Sequence, residues 1–147
     1  MSMVDVTAKP EVYRESTARG LIKLKPETVK LIKEGRVEKG DPLSIARIAG
    51  ILAAKSTSSL IPLCHPLPLT NVELDIKITD ETTVEVETTV KTRAQTGVEM
   101  EALTATSIAL LTIWDMCKAY EKDEFGQYPH AVIQNIRVVR KVKEMKR

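Results

Sequence analysis

The sequence contains little of what several protein classes require. Aromatic residues make up only 3% of its 147 residues, so the core must be aliphatic. Its two cysteines, Cys64 and Cys117, are far apart and form no CxxC pair, which excludes a disulfide framework and a zinc-finger spacing. The formal net charge of +2 is too small to indicate nucleic acid or an anionic membrane by itself. Any anion site must therefore be a local cluster of cations.

Signals for export and membrane insertion are also lacking. The N-terminus shows no basic-then-apolar pattern. The longest uncharged stretch, 56–72, is interrupted by three prolines, so it cannot offer the ~20 apolar residues of a bilayer span. We therefore expect a protein of the reducing cytoplasm with no membrane association. The length fits one domain, 1–147, with an extended arm (1–17), a core (18–142) and a basic tail (143–147).

What is present is a clear pattern of helices and strands. The predicted elements, in chain order, are a strand at 18–24, a short helix from Pro26 to about Gly35, a helix from the Asp41 cap to about Ser56, a hairpin of strands at 72–78 and 84–90, a long helix from Gly97 to about Tyr120 and a strand around 136–142. This order predicts an α+β fold of the ferredoxin-like split βαβ type. Its antiparallel sheet would carry helices on one face and an extra helix in the first crossover.

The helix that follows Asp41 is apolar almost all round. Ile45, Ile48 and Leu52 line one face, and alanines surround them. Since a domain of this size rarely buries two sides of a helix, we predict that this helix contributes to a subunit interface.

Most groups capable of chemistry lie in 39–75 and 97–118, which we expect to form two walls of an anion-binding cleft. Lys39 precedes a helix N-terminus, where backbone N–H groups favour an anion, although it could simply solvate a loop. The surrounding GRVEKGD lacks the Lys-Ser/Thr of a phosphate loop, so we reject a nucleotide hydrolase. Asp115 and Lys118 share a helical face, either as a surface ion pair or as a partly buried acid and base.

Two further groups of side chains are open to several interpretations. Cys64 and His65 are neighbours in an extended segment, so they point to opposite faces and do not form a dyad. Cys64 is best explained as a small buried apolar residue, whereas His65 is as well explained by a structural role as by proton transfer or phosphate binding. Glu99 and Glu101 either compensate a helix dipole or supply one carboxylate to the cleft.

Four stretches resemble the molybdenum cofactor biosynthesis protein C family, the cyclic pyranopterin monophosphate synthases. They are VYRESTARG, KGDPLSIARIAGILAAK, LIPLCHPLPL and TGVEMEALTATSIALLTIWDMCKA. The resemblance covers nearly the whole chain. It implies a ferredoxin-like fold and a homo-hexamer, built as a trimer of dimers, with active sites between subunits.

The resemblance also implies a phosphorus–oxygen lyase reaction. Its substrate is a cyclised dihydro-GTP supplied by an upstream radical enzyme, and its products are cyclic pyranopterin monophosphate and pyrophosphate. A ribose-derived hydroxyl would attack the innermost phosphate and expel pyrophosphate. We expect no redox cofactor and no metal-ligating residues, and leave open a divalent ion that accompanies the triphosphate.

Carried over by motif, Lys39, Asp115 and Lys118 are the expected catalytic residues, joined in a hydrogen-bonded proton relay. The expected substrate-binding residues are Arg14, Lys55, Leu63, Cys64, His65, Glu99, Met100, Glu101 and Lys141. Glu99 or Glu101 should hold the guanine-like ring through its N–H donors. The sequence departs from the family pattern at an insertion, 123–131, and at a tail without a Gly-rich segment.

Three alternative functions compete with this interpretation. A ferredoxin-like sheet could bind RNA, but the sequence lacks an aromatic stacking motif. A hydrolase could use Cys64 as its nucleophile, and a purely structural subunit would bind no phosphate. No nucleic acid or membrane partner is expected.

Overall fold

The computed structural model describes residues 1–144. Within them the elements are β1 (Val12–Lys23), α1 (Pro26–Lys33), α2 (Pro42–Lys55), α3 (Thr57–Leu60), β2 (Leu69–Asp80), β3 (Thr83–Ala94), α4 (Glu99–Glu121) and β4 (Val132–Glu144). Lys146 and Arg147 of the predicted basic tail lie outside the described residues. In the described part of the chain, every helix is too short or too polar to cross a membrane.

The four strands form one antiparallel sheet in the order β2-β3-β1-β4. Helix α4 packs against β1 and β3, and α2 packs beside it against β2. The short helices α1 and α3 join these elements in the first crossover. The predicted ferredoxin-like α+β fold is therefore confirmed.

Alternation along the strands decides which sheet face is covered. Inward-facing side chains such as Ile22, Val84 and Val86 are fully buried against the helices. The opposite face carries charged residues such as Glu85 and Glu87, and Arg19 bridges to Glu87 there at 2.8 Å. A strand with this alternation buries one row of side chains and leaves the other in water.

A close approach between α2 and α4 holds the helical layer together. A Cβ atom placed on Gly50 would lie 2.3 Å from Leu74 Cδ2 and 3.2 Å from the carbonyl oxygen of Ala105. A side chain there would have to displace Leu74 and would press on the Ala105 carbonyl, so glycine is what allows this close approach. The small residues Ala46, Ala53 and Ala54 continue the buried face of α2.

The predicted ends of the sheet were wrong. Strand β1 begins at Val12, so residues 12–17 belong to the sheet and not to an arm. The alternation was hidden because two inward-facing positions are polar: Arg14 and Ser16 are buried at 4% and 1% exposure. Strand β4 extends through Glu144, with Asn135 at φ 59° where the register to β1 shifts.

The bulky apolar side chains of the two long helices do not all face the core. Ile45, Ile48 and Leu52 of α2 are 45%, 56% and 58% exposed, because the small residues face α4 instead. On α4, Met100 and Leu111 are exposed, while Ala102, Ala105 and Ala109 are buried. The described chain thus carries an uncovered apolar surface across both helices.

Candidate active site

Lys39, Asp115 and Lys118 form one cluster, which we call the relay cluster. Lys39 Nζ lies 3.2 Å from Asp115 Oδ2, and Lys118 Nζ lies 3.0 Å from Oδ1. Lys39 also donates to the carbonyl oxygen of Asp115 at 3.3 Å. Lys118 reaches the carboxylate because residues three apart share a helical face. Lys39 reaches it from the loop before α2, so the two cations come from separate segments.

The charged groups of the relay cluster stabilise each other's ionised forms. Hydrogen bonds from Lys118 and Lys39 hold the pKa of Asp115 below its ordinary range. The same contact with Asp115 raises the pKa of Lys118. The partial burial expected from the neighbouring apolar residues is absent from the described chain: the three side chains are 45–56% exposed. The apolar neighbours Met116 and Cys117 point into the core instead.

Two tyrosines missed by sequence reasoning border the relay cluster. The hydroxyl of Tyr120 accepts the backbone N–H of Glu38 at 2.8 Å, and this ties the loop that presents Lys39 to α4. Tyr128, from the predicted insertion, lies against Trp114 with ring centroids 5.6 Å apart and adds to the raised pKa of Lys118. The sequence places Tyr120 close to Lys118 in the same helix, and this proximity was the signal by which Tyr120 could have been found.

The start of α4 holds a second cluster, built around Glu99. Lys141 Nζ, on β4, lies 2.6 Å from Glu99 Oε1. Burial opposes ionisation of Glu99, but Lys141, a backbone N–H and the charge of Arg14 together lower its pKa. A Cβ on Gly97 would lie 2.4 Å from Glu99 Oε2, so the Glu99 carboxylate folds directly over this glycine. Arg14 is itself held by the carbonyl oxygens of Ala94 and Gln95.

Glu101 is the most deeply buried carboxylate among the predicted site residues, at 3% exposure. Burial, with a smaller contribution from Glu99, raises its pKa. Its Oε1 atom has no hydrogen-bond partner among the described residues. An unpaired buried carboxyl group costs stability, which is a signature of a functional position.

The remaining predicted residues surround this second cluster or lie on the segments that lead to it. The loop after α3 carries Leu63, which is exposed, and the half-buried Cys64 and His65. Burial and the charge of Glu101 raise the pKa of the Cys64 thiol, so it is a poor thiolate nucleophile. Lys55 is exposed at the last position of α2, and Met100 is exposed beside Glu101. We call the group Arg14, Cys64, Glu99, Glu101 and Lys141 the acidic cluster.

The two clusters lie at opposite ends of α4, so the two predicted walls of the cleft do not face each other within one chain. At 1.5 Å per residue, the rise from Glu101 to Asp115 is about 21 Å. Hydrogen bonds reach only about 3 Å, so the two clusters of one chain cannot act on the same reacting atoms. Sequence spacing gave both clusters but could not show that a rigid helix separates them.

Comparison with known proteins supports the same family as the motifs. The MoaC family model matches residues 3–144. The chain belongs to the MoaC family. Three similar proteins are each named a probable cyclic pyranopterin monophosphate synthase. They are from Pyrococcus furiosus (58% identity, covering 98% of this chain and 92% of the relative), Sulfurisphaera tokodaii (57%, 96% and 93%) and Saccharolobus solfataricus (56%, 97% and 95%).

The matched region of this MoaC-family chain includes both clusters and residues 123–131. Tyr128 is therefore part of the matched domain and lies next to Lys118 in space. The catalytic and binding roles of the individual residues stay predictions.

We predict that Tyr120→Phe impairs turnover more than folding. Loss of the hydroxyl leaves the N–H of Glu38 without its acceptor and frees the Lys39 loop, at a cost of about 1 kcal/mol of stability. Because a shift of 1 Å in a catalytic group can cost up to about 100-fold in rate, kcat should fall by at least tenfold. Steady-state kinetics and thermal unfolding would measure the two effects. Tyr13→Phe, which removes a hydroxyl bonded to Glu15 on the outer sheet face, is the control. Equal kcat values for the two variants would contradict the prediction.

We predict opposite effects on stability for Glu101→Gln and Glu99→Gln. The raised folded pKa of Glu101 contributes stability below its ordinary value of 4.5, and this is lost as pH rises through the folded pKa. Glu101→Gln should therefore raise the free energy of unfolding at neutral pH relative to wild type, while turnover falls. The lowered folded pKa of Glu99 contributes stability at pH values above its ordinary pKa of 4.5. Glu99→Gln should therefore destabilise the folded protein at neutral pH. Urea unfolding at neutral and acidic pH tests both signs, and identical shifts at neutral pH would refute the assignment.

Proposed function

We propose that this chain is a cyclic pyranopterin monophosphate synthase, a lyase of molybdenum cofactor biosynthesis. It would convert the cyclised dihydro-GTP supplied by a radical enzyme into cyclic pyranopterin monophosphate and pyrophosphate. The observation that carries the proposal is the relay cluster, in which two lysines from separate segments flank one ionised aspartate. Family membership and the names of the relatives support the same reaction.

The charges of the two clusters suit different parts of such a substrate. The ammonium groups of Lys39 and Lys118 can bind phosphate oxygens and stabilise the charge on departing pyrophosphate. A protonated Lys118, held so by Asp115, can also donate a proton. The carboxylate of Glu101, with its raised pKa, can accept N–H groups of the guanine-like ring or take a proton from it.

The phosphoryl step needs no electron transfer. The oxygen of a ribose-derived hydroxyl forms a bond to the innermost phosphorus, and the bond from that phosphorus to the bridging oxygen breaks. Pyrophosphate leaves with the electron pair, and the hydroxyl proton passes to a base of the site. We therefore propose that the reaction needs no redox cofactor, with a divalent ion only as an escort of the triphosphate, and that it takes place in the reducing cytoplasm.

We propose that the active site is completed by a second copy of the chain. The relay cluster and the acidic cluster cannot meet within one chain, because α4 separates them. The packed helices α2 and α4 also expose the bulky apolar side chains Ile45, Ile48, Leu52 and Leu111. Several large exposed apolar side chains on two packed helices are typical of a protein interface.

A two-fold axis near the middle of α4 would bring the two clusters of different copies together and would cover the exposed apolar side chains. Met100, Leu111 and Lys118 lie on one exposed face of α4, since their spacings are close to whole helical turns. Two antiparallel α4 helices that meet near Leu111 would bring Glu101 of one copy towards Lys118 of the other. Such an isologous dimer holds two identical sites, and three dimers would give the hexamer implied by the resemblance.

The reaction itself can be tested with the purified chain and the cyclised dihydro-GTP. We expect pyrophosphate release by the wild type and a loss of at least about 100-fold in kcat for Lys118→Ala, the usual range for a lost acid or base. Lys122→Ala, which changes an exposed lysine just beyond α4, should retain wild-type turnover. Turnover of Lys118→Ala at the wild-type rate would exclude the relay.

Mixing of two inactive variants tests the shared site. In a hybrid of Lys118→Ala and Glu101→Gln, one site combines both defects and the other has both wild-type residues. After unfolding and refolding together, about half of the dimers are hybrids with one intact site of two, so about a quarter of wild-type activity should return. Mass spectrometry would show whether hybrid dimers form. If hybrids form and no activity returns, both clusters of a working site belong to one chain.

A further inference from the structure

The first nine residues form a strap that lies across the loop of His65. The carbonyl oxygen of Val4 is 2.7 Å from Nε2 of His65, and the carbonyl oxygen of Thr7 accepts from Gln95 Nε2 at 3.4 Å. Val6 is half-buried and lines, with His65, Pro66 and Arg93, a cavity of about 140 Å³. Although the strap contains no helix or strand, it therefore has defined contacts with the segment that carries His65.

The strap owes its shape to a local turn. Asp5 Oδ1 accepts the backbone N–H of Thr7 at 2.9 Å and its hydroxyl at 2.6 Å. These hydrogen bonds lower the pKa of Asp5, with a small contribution from the charge of His65. A second turn follows, in which the N–H of Lys9 donates to the carbonyl oxygen of Val6 at 3.0 Å. An aspartate that bonds two residues ahead is a common way to fix such a turn.

The contact with Val4 determines which nitrogen of His65 carries the proton. A backbone carbonyl can only accept a hydrogen bond, so Nε2 must be the donor. A neutral imidazole has one N–H, and here that N–H is already used. Nδ1 is left with its lone pair, so neutral His65 can accept a hydrogen bond or a proton but has no N–H left to donate to a phosphate.

We propose that the strap is a positioning element, which engages Nε2 of His65 so that the ring meets the substrate through Nδ1. Arg14 and Gln95 link this arrangement to the acidic cluster, because Arg14 holds the carbonyl oxygen of Gln95 at 3.2 Å, while the Gln95 side chain holds the strap. The inference rests on the proposed function only for the identity of the substrate. The state of the ring is a property of the free protein.

The chain offers a simple spectroscopic test, since His65 and His130 are its only histidines. In full-length protein labelled with ¹⁵N-histidine, His65 should show a slowly exchanging Nε2 proton with a cross-relaxation contact to Val4 or Asp5. Asp5→Asn retains an oxygen acceptor for Thr7 and should keep this signal. Asp5→Ala loses the turn and should lose the signal. Lys9→Ala, which leaves the backbone bond to Val6 in place, is the matched control. A signal that persists in Asp5→Ala, or is absent from the wild type, overturns the proposal.

Kinetics with the cyclised dihydro-GTP test the role of Nδ1. Asp5→Ala should lower kcat/KM by about 10- to 100-fold, the cost of a misplaced catalytic group, whereas Asp5→Asn and Lys9→Ala should not. An asparagine amide lies where Nδ1 lies, and a glutamine amide reaches the Nε2 position. His65→Asn should therefore retain more activity than His65→Gln, and the reverse order would overturn the proposal. If the wild type itself shows no turnover, the proposed function is wrong. The spectroscopic result still tests whether the strap engages Nε2 of His65.

Discussion

The rigidity of α4 is the constraint on which the rest of the structure depends. A helix of this length does not bring one end to the other, so the acidic groups at its start and the Asp115–Lys118 pair near its end lie about 20 Å apart. A lysine from a different part of the chain pairs with the carboxylate at each end of α4. Lys39 reaches the late end from the loop before α2, and Lys141 reaches the early end from β4. The sheet and α2 therefore hold the two clusters at a fixed separation.

Several features that disfavour stability in the described chain lie on α2 and α4. Glu101 is buried with an unpartnered oxygen, and bulky side chains of α2 face outwards. Gly50 permits the α2–α4 contact at the cost of backbone freedom in the unfolded chain. Each of these would be a defect in an isolated domain. The first two are explained together if a second copy covers the apolar surface and the guanine-like ring of a substrate meets the buried carboxyl group.

Sequence patterns predicted some parts of this structure well. The Asp41 cap with Pro42 in the first turn gave the start of α2, and the alternation after Val72 gave the hairpin. The helix stop at Gly35 was also predicted, and its φ of 67° shows why glycine is needed. Prediction was poorer where the inward-facing residues are not apolar. Arg14 and Ser16 concealed the first half of β1, and a register shift at Asn135 concealed the first four residues of β4.

The sequence alone determined the order of elements, the fold class and the set of chemically capable side chains, because these depend on local periodicity, capping and composition. It also identified the family, because the motifs are long and specific. Only the tertiary structure decided which of those side chains meet. Whether Lys39 contacts Asp115, whether Glu101 is buried, and which ring nitrogen of His65 is occupied all depend on packing between segments far apart in the chain. No local pattern encodes those contacts, since they are fixed by how the helices and the strap settle on the sheet.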